Sequence, residues 1–135
     1  MASIEDVEGI GPAHAKKLRA AGVATTDALL KAGAKPSGRK DLEASTGIAH
    51  SLILEWVNHV DLMRINGVGS EYSDLLEEAG VDSPAELAQR NAASLSAKIQ
   101  GVMKAQPHIV RRVPSEKELG DWIAQSKKLS KVVEH

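Results

Sequence analysis

The chain has 135 residues, 17 of them basic and 18 acidic, and this balance excludes a protein that coats nucleic acid through a large net positive field. The absence of cysteine excludes disulfides and thiolate metal sites and is typical of a reducing compartment, so we expect a cytoplasmic location. Aromatic residues are limited to Trp56, Tyr72 and Trp122, which excludes an extended base-stacking surface, and every apolar run is too short to span a membrane.

A glycine turn opens the first predicted helix. Gly9 and Gly11 flank Ile10, and glycine tolerates the positive φ and the close backbone approach that a tight turn needs. The pattern predicts that Ile10 packs inward while amide N–H groups stay exposed at the start of the following helix. Pro12 suits the first helical position and Gly22 suits the left-handed residue after the last turn, so a helix is expected between them.

Three more helices are predicted in the first half of the chain. Thr25 caps a short helix that Gly33 ends, and another helix follows over about residues 38–45. In a third helix, from about 49 to 59, the apolar face consists of Leu52, Ile53, Trp56 and Val60. Because no segment alternates with the period of a strand, we predict an all-α protein.

The pattern of the first helices returns 58 positions later. Seven identical residues align at this shift, Gly9, Gly11, Leu18, Ala21, Gly22, Val23 and Leu29 with Gly67, Gly69, Leu76, Ala79, Gly80, Val81 and Leu87. Trp56 aligns with Trp122 only at a shift of 66, so we expect about eight additional residues in the later copy, in the loop around 106–114. The chain is therefore interpreted as a duplication with one insertion.

The later copy is also predicted to be helical. Ser83 and Glu86 form a capping-box pattern, and a longer helix covers residues 92–105. The last helix begins after the Ser115 cap, with Glu118 three residues on, and Leu119, Trp122, Ile123 and Ser126 share one of its faces. These boundaries divide the chain into a first repeat, a second repeat with an insertion and a tail, at residues 1–62, 63–132 and 133–135.

The segment GIGPAHAKKL, residues 9–18, resembles the helix-hairpin-helix motif, especially the version in the DNA polymerase β family. Residues 22–30 resemble the exit from such a motif, and residues 42–49 resemble a second, degenerate hairpin. The whole chain, including 54–59 and 121–124, is similar to a bacterial family of uncharacterised tandem helix-hairpin-helix proteins, sometimes labelled flap-endonuclease-like. The resemblance implies duplicated helix-hairpin-helix repeats in a SAM-domain-like helical bundle.

Hairpins of these families hold the DNA phosphate backbone through main-chain amides and basic side chains, sometimes with a monovalent cation bound by hairpin carbonyls. The resemblance implies this role for Gly9, Ile10, Gly11, His14, Lys16 and Lys17. Charge adds Arg19, because the helix after the first hairpin carries three bases and no acid. With Arg39 and Lys40 counted as well, roughly three to five phosphates can be neutralised, so we expect weak, salt-sensitive binding of double-stranded DNA without sequence preference.

The equivalent helix of the second copy has the opposite charge. Its acidic residues are Glu71, Asp74, Glu77 and Glu78, and the helix contains no base. Carboxylates at this position repel a phosphate, so we expect no DNA contact there and a packing role for Tyr72. Two alternatives stay open: the first hairpin is a connector used only for packing, or the two complementary helices serve self-association or binding of another protein.

The residues give no sign of catalysis. Flap nucleases gather carboxylates around two metal ions, whereas the acids here are spread along helix surfaces. The histidines show no metal-ligand spacing apart from the loose pair His59 and Asp61. We therefore expect a non-catalytic binding module with no catalytic residue, no metal, no cofactor and no membrane partner.

Overall fold

The computed structural model describes residues 2–135, and all regular structure in this range is helical apart from one isolated bridge between Ser3 and Thr25. A short 3-10 helix, Ile4–Asp6, precedes eight α-helices. The α-helices are α1 Pro12–Ala20, α2 Thr26–Gly33, α3 Pro36–Thr46, α4 His50–Leu62, α5 Ser70–Glu78, α6 Pro84–Leu87, α7 Ala92–Ala105 and α8 Glu116–Ser126. The prediction of an all-α protein is confirmed. Among the described residues, none of the helices combines the length and apolar character needed to cross a membrane.

Side-chain caps set the starts of several helices, among them α2, α6 and α8. The Thr25 hydroxyl accepts a hydrogen bond from the Ala28 amide at 3.1 Å, and Ser115 caps α8 in a reciprocal capping box with Glu118. The Ser83 hydroxyl accepts from the Glu86 amide at 3.2 Å, while the Glu86 carboxylate accepts from a side chain further along, Arg90, at 3.0 Å. Each cap satisfies an amide N–H that has no partner inside its own helix.

Two helix boundaries differ from the predicted ones by two residues or more. The α3 helix begins at Pro36, two residues before the predicted start at 38, because a proline fits the first turn and Lys35 takes the capping position. The α4 helix continues to Leu62 rather than ending near 59, and its last turn carries buried apolar side chains. Packing of those side chains stabilises an extra turn that the local pattern does not require.

The chain forms two compact units. Unit 1 comprises Met1–Asp61 and Val132–His135, and unit 2 comprises Leu62–Lys131. The largest buried side chains of unit 1 are Ile4, Leu18, Leu29, Arg39, Ile53 and Trp56. Those of unit 2 include Leu62, Ile65, Leu75, Leu76, Leu87 and Leu95, with Trp122 in the same cluster. Each unit therefore has a hydrophobic core of its own.

The sequence repeat has the same local geometry at both of its positions. After α1, the Val23 amide donates to the Leu18 carbonyl at 2.8 Å, and Gly22 has φ +88°. After α5, the Val81 amide donates to the Leu76 carbonyl at 2.8 Å, and Gly80 has φ +92°. A left-handed glycine thus ends each helix in the same way, as predicted from the sequence.

Candidate functional site

The first hairpin, defined here as residues 7–11, is a tight turn in front of α1. Gly9 has φ +90°, and the Ile10 amide donates to the Val7 carbonyl at 3.1 Å. The Ile10 side chain is only 5% exposed, whereas Gly9 and Gly11 are exposed. The hairpin therefore buries its middle side chain and presents its backbone to solvent, as predicted.

The first hairpin packs against an aromatic pair, Trp56 and His14. Trp56 of α4 is buried, and a Cβ atom added to Gly9 would lie 3.4 Å from the Trp56 indole nitrogen. The His14 ring lies 5.1 Å from the Trp56 ring, centroid to centroid, with an angle of 59° between the planes. The His14 Nδ1 atom is buried and has no hydrogen-bond partner among the described residues. His14 thus packs on Trp56 and fixes the position of the first turn of α1.

The start of α1 presents unpaired donors to solvent. Gly11 occupies the capping position without a side-chain hydrogen bond, and its carbonyl accepts from the Ala15 amide at 2.9 Å. Pro12 has no N–H. The amides of Gly11, Ala13 and His14 have no hydrogen-bond acceptor within the part of the chain that the structure describes. Because these N–H groups coincide with the positive end of the helix dipole, an anion is favoured there.

Two lysines extend this positive region along α1. Lys16 and Lys17 are exposed, and neither has a carboxylate partner in residues 2–135. Arg19 differs from them, because its Nη1 atom donates to the Glu5 carboxylate at 2.7 Å and its Nη2 atom donates to the Ser3 hydroxyl at 3.1 Å. The ion pair with Glu5 reduces the charge that Arg19 offers to a ligand.

Arg39 does not belong to the basic surface, and the expectation that it neutralises a phosphate is wrong. Its side chain is 2% exposed, and its Nη1 atom donates to the Gly33 carbonyl at 2.8 Å. Burial lowers the pKa of the Arg39 guanidinium from its ordinary value, and the nearby charge of Glu134 opposes this shift. Lys40, the next residue, is exposed. Lys16, Lys17 and Lys40 are thus exposed and have no carboxylate partner among residues 2–135, whereas Arg19 is exposed but paired with Glu5.

The second hairpin, residues 65–69, repeats the geometry of the first. Gly67 has φ +98°, and the Val68 amide donates to the Ile65 carbonyl at 3.1 Å. A Cβ atom on Gly67 would lie 2.9 Å from the indole nitrogen of Trp122, and the Tyr72 and Trp122 ring centroids are 5.1 Å apart. Tyr72 therefore occupies the position that His14 has in unit 1.

The second hairpin is held by side chains from elsewhere in unit 2. The Asn66 amide donates to the Gln125 side-chain oxygen at 2.9 Å, and the Gln125 side-chain nitrogen donates back to the Asn66 carbonyl at 3.0 Å. The Tyr72 hydroxyl donates to the Arg112 carbonyl at 2.9 Å, and Arg111 Nε lies 3.5 Å from a Glu71 carboxylate oxygen. The inserted loop around 106–114 thus contacts α5 and places Arg111 next to Glu71 of that helix.

The four acidic residues of α5 are not equally accessible. Glu71 and Glu78 are exposed, whereas Asp74 and Glu77 are half-buried. Negative charge at the start of α5 is favourable for the helix itself, because it complements the dipole. The same charge disfavours a phosphate, so the two hairpins offer similar shapes with different electrostatics.

An ion pair between Arg112 and Glu118 holds the inserted loop, and we expect its contribution to thermal stability to depend on pH. Arg112 donates two hydrogen bonds of 2.7 Å to the Glu118 carboxylate, and these bonds lower the Glu118 pKa from 4.5 to about 2. We expect Glu118→Gln to lower the Tm, because a neutral amide keeps the helix cap but loses the charge. The difference in Tm from wild type should be largest above pH 4.5 and should be lost as the pH falls through about 2, where the native carboxylate takes up its proton.

Circular dichroism melts of both proteins between acidic and neutral pH measure this difference. Glu116→Gln is the matched control, since Glu116 lies in the same helical turn, is exposed and has no side-chain partner among the described residues. A Tm difference for Glu118→Gln that stays constant down to pH 2 would show that the ion pair does not contribute.

Comparison with known proteins assigns the chain to a family. The fold and the two hairpins define an all-helical protein of two compact units. The model of the family described as Domain of unknown function (DUF4332) matches residues 8–129. This range is most of the chain, so the protein belongs to that family. No curated protein and no solved structure shows a significant match.

Proposed function

We propose that the protein is a non-catalytic module of two helix-hairpin-helix repeats, and that its first hairpin binds the backbone of double-stranded DNA without sequence preference. The carrying observation is the group of unpaired amides at Gly11, Ala13 and His14, which lies in the first turn of α1, one turn before two exposed lysines. Amide donors at a helix start and neighbouring cations are the elements that hold a phosphate oxygen.

The expected contact is small. Lys16 and Lys17 are the cations closest in sequence to the open amides, while Arg19 is paired with Glu5. We therefore expect about two or three neutralised phosphates, at the lower end of the range expected from the sequence. Phosphate contacts carry no sequence information, so the affinity should not depend on the base sequence.

We expect the second hairpin to make no contact with the DNA phosphates. Its first turn carries Glu71, and the Tyr72 hydroxyl is engaged by the inserted loop. A phosphate approaching the start of α5 would meet the Glu71 carboxylate as well as the amides, and the carboxylate repels it. Binding through one hairpin only accounts for a low expected affinity.

Titration of wild-type protein against labelled duplex across a salt series tests the proposal. With two or three phosphates neutralised, the affinity should fall by about 10- to 40-fold between 50 and 200 mM salt, equally for unrelated sequences. The affinity at 50 mM should be about micromolar or weaker. A duplex that shows no binding even at 50 mM salt would remove the proposed function.

A second candidate function is self-association or binding of another protein. It is favoured by the exposed Lys16 and Lys17 on one unit and the exposed Glu71 and Glu78 on the other. Such a contact joins two different surfaces and can therefore extend into rings or filaments. Sedimentation of the free protein at low salt separates the candidates, because a monomer at high concentration is expected for the DNA module and contradicts self-association through these helices.

A further inference from the structure

The 3-10 helix at the start of the chain holds the guanidinium of Arg19. Arg19 donates from Nη1 to the Glu5 carboxylate at 2.7 Å and from Nη2 to the Ser3 hydroxyl at 3.1 Å. Ser3 is the capping residue of the 3-10 helix, and Glu5 lies within it. One short segment therefore supplies an acceptor to each of the two terminal nitrogens of the guanidinium.

The backbone that carries these acceptors is fixed to unit 1. Ile4 is fully buried, and its amide donates to the Ala24 carbonyl at 3.1 Å. The Thr26 amide donates to the Ala2 carbonyl, also at 3.1 Å. Because the segment around Glu5 is already ordered by these contacts, its ion pair with a base does not have to immobilise a flexible segment.

Arg19 lies on the same helix as the phosphate-binding residues of the proposed function. It follows Lys16 by three residues, and side chains at this spacing are neighbours on a helix surface. Six positions separate Arg19 from the open amide of Ala13, which is about 9 Å along the helix axis. Arg19 is thus placed for a phosphate next to the one that the open amides would hold.

The pairing with Glu5 distinguishes Arg19 from the two lysines. A phosphate can contact Lys16 or Lys17 without breaking an ion pair, since both are exposed and have no carboxylate partner among residues 2–135. It can contact Arg19 in the same way only by displacing the Glu5 carboxylate. The Arg19 and Glu5 side chains are 42% and 49% exposed, so the pair is accessible to a phosphate from solution. The two anions would use the same guanidinium donors.

We propose that Glu5 competes with the DNA backbone for Arg19 and thereby limits the affinity of the first hairpin for duplex DNA. This role rests on the proposed function, because it concerns the same binding site. In wild type, Arg19 stays paired, and Lys16 and Lys17 make the ionic contacts. When Glu5 is neutral, Arg19 is released and adds one phosphate contact.

Glu5→Gln should therefore strengthen duplex binding. We expect about three- to tenfold tighter binding at 50 mM salt, and a loss of affinity between 50 and 200 mM salt that is about threefold larger than for wild type, as one additional neutralised phosphate requires. Fluorescence anisotropy with labelled duplex measures both quantities. Asp27→Asn is the matched control, since Asp27 is an exposed carboxylate of unit 1 with no side-chain partner among the described residues. Its affinity should stay within about twofold of wild type.

Arg19→Gln distinguishes competition for Arg19 from a general effect of charge. Alone, it should change the affinity by less than about twofold, because Arg19 is paired with Glu5 in wild type. Combined with Glu5→Gln, it should return both the affinity and its salt dependence to about the wild-type values. A gain from Glu5→Gln that persists in the Arg19→Gln background would overturn the competition.

Failure of the role of Glu5 differs from failure of DNA binding itself. If wild type binds the duplex and Glu5→Gln binds it no more tightly than Asp27→Asn does, Glu5 does not limit the affinity, and the first hairpin remains the DNA site. If none of the folded proteins binds the duplex at 50 mM salt, the proposed function and the role of Glu5 are both removed. Circular dichroism melts establish that each variant is folded.

Discussion

We expect replacement of both Lys16 and Lys17 by glutamate to abolish the duplex binding that we propose for the first hairpin. The two residues are exposed and lie one turn after the unpaired amides at the start of α1, so the change places two carboxylates beside the expected phosphate. Loss of two favourable contacts and gain of two repulsive ones removes an interaction that neutralises only about two or three phosphates. Fluorescence anisotropy with labelled duplex at low salt measures the effect.

A matched variant separates the hairpin from overall charge. Lys127→Glu with Lys128→Glu changes the net charge by the same amount, and both lysines are exposed and distant in sequence from the first hairpin. This control should retain duplex binding within about twofold, since long-range charge effects are screened. Equal loss in both double variants would show that net charge, and not the hairpin, determines binding.

Gly67→Ala should destabilise the protein by about 3 kcal/mol, the largest effect expected of a single methyl group at the hairpins. Gly67 has φ +98°, which is strained for alanine, and the new Cβ atom would lie 2.9 Å from the buried Trp122 indole nitrogen. Backbone strain and overpacking therefore both lower the free energy of unfolding of this variant. Chemical denaturation followed by circular dichroism gives the change in the free energy of unfolding.

Replacement of two other hairpin glycines, Gly9 and Gly69, by alanine provides the control for Gly67→Ala. Gly9→Ala should have a smaller effect, because its Cβ atom would be 3.4 Å from Trp56 at a similar φ. Gly69→Ala should have an effect below about 0.5 kcal/mol, since Gly69 has φ −96° and no atom lies within 4 Å of its Cβ position. An equal loss for Gly67→Ala and Gly69→Ala would contradict the close packing of the second hairpin on Trp122.

The hairpins could be predicted because their signals are local. Gly9, Ile10 and Pro12 determine the turn and the helix start within four positions, and Thr25 and Ser115 cap the helices that follow them. The predicted apolar face of α8 is also the buried one. Local backbone preference and side-chain periodicity act over one or two turns, so one sequence is enough to reveal them.

Long-range contacts could not be predicted in this way. Arg39 lies in a polar segment beside Lys40 and Asp41, which is typical of a solvated helix start, yet it is buried and donates a hydrogen bond to Glu134, 95 residues away. Arg19 meets Glu5 across 14 residues through the fold of the chain. Neither pairing has a period or a motif, because tertiary packing alone brings the partners together.

The aromatic supports of the hairpins were only partly predicted. The alignment of Trp56 with Trp122 indicates two equivalent core positions, and both side chains are buried. The sequence does not indicate that each lies under a hairpin glycine or that His14 and Tyr72 pack on them. The 58-residue shift relates His14 to Tyr72, so the equivalence could have been found from the repeat, but their rings differ too much to suggest a shared role.

Backbone amide chemical shifts recorded during titration with a short DNA duplex locate the proposed contact residue by residue. The largest changes should occur at Gly11, Ala13 and His14, with smaller ones at Lys16 and Lys17, and all of them should decrease as salt is added. Amides of the second hairpin, residues 65–69, should not move. Changes concentrated elsewhere in the chain, or no change at low salt, would contradict DNA binding by the first hairpin.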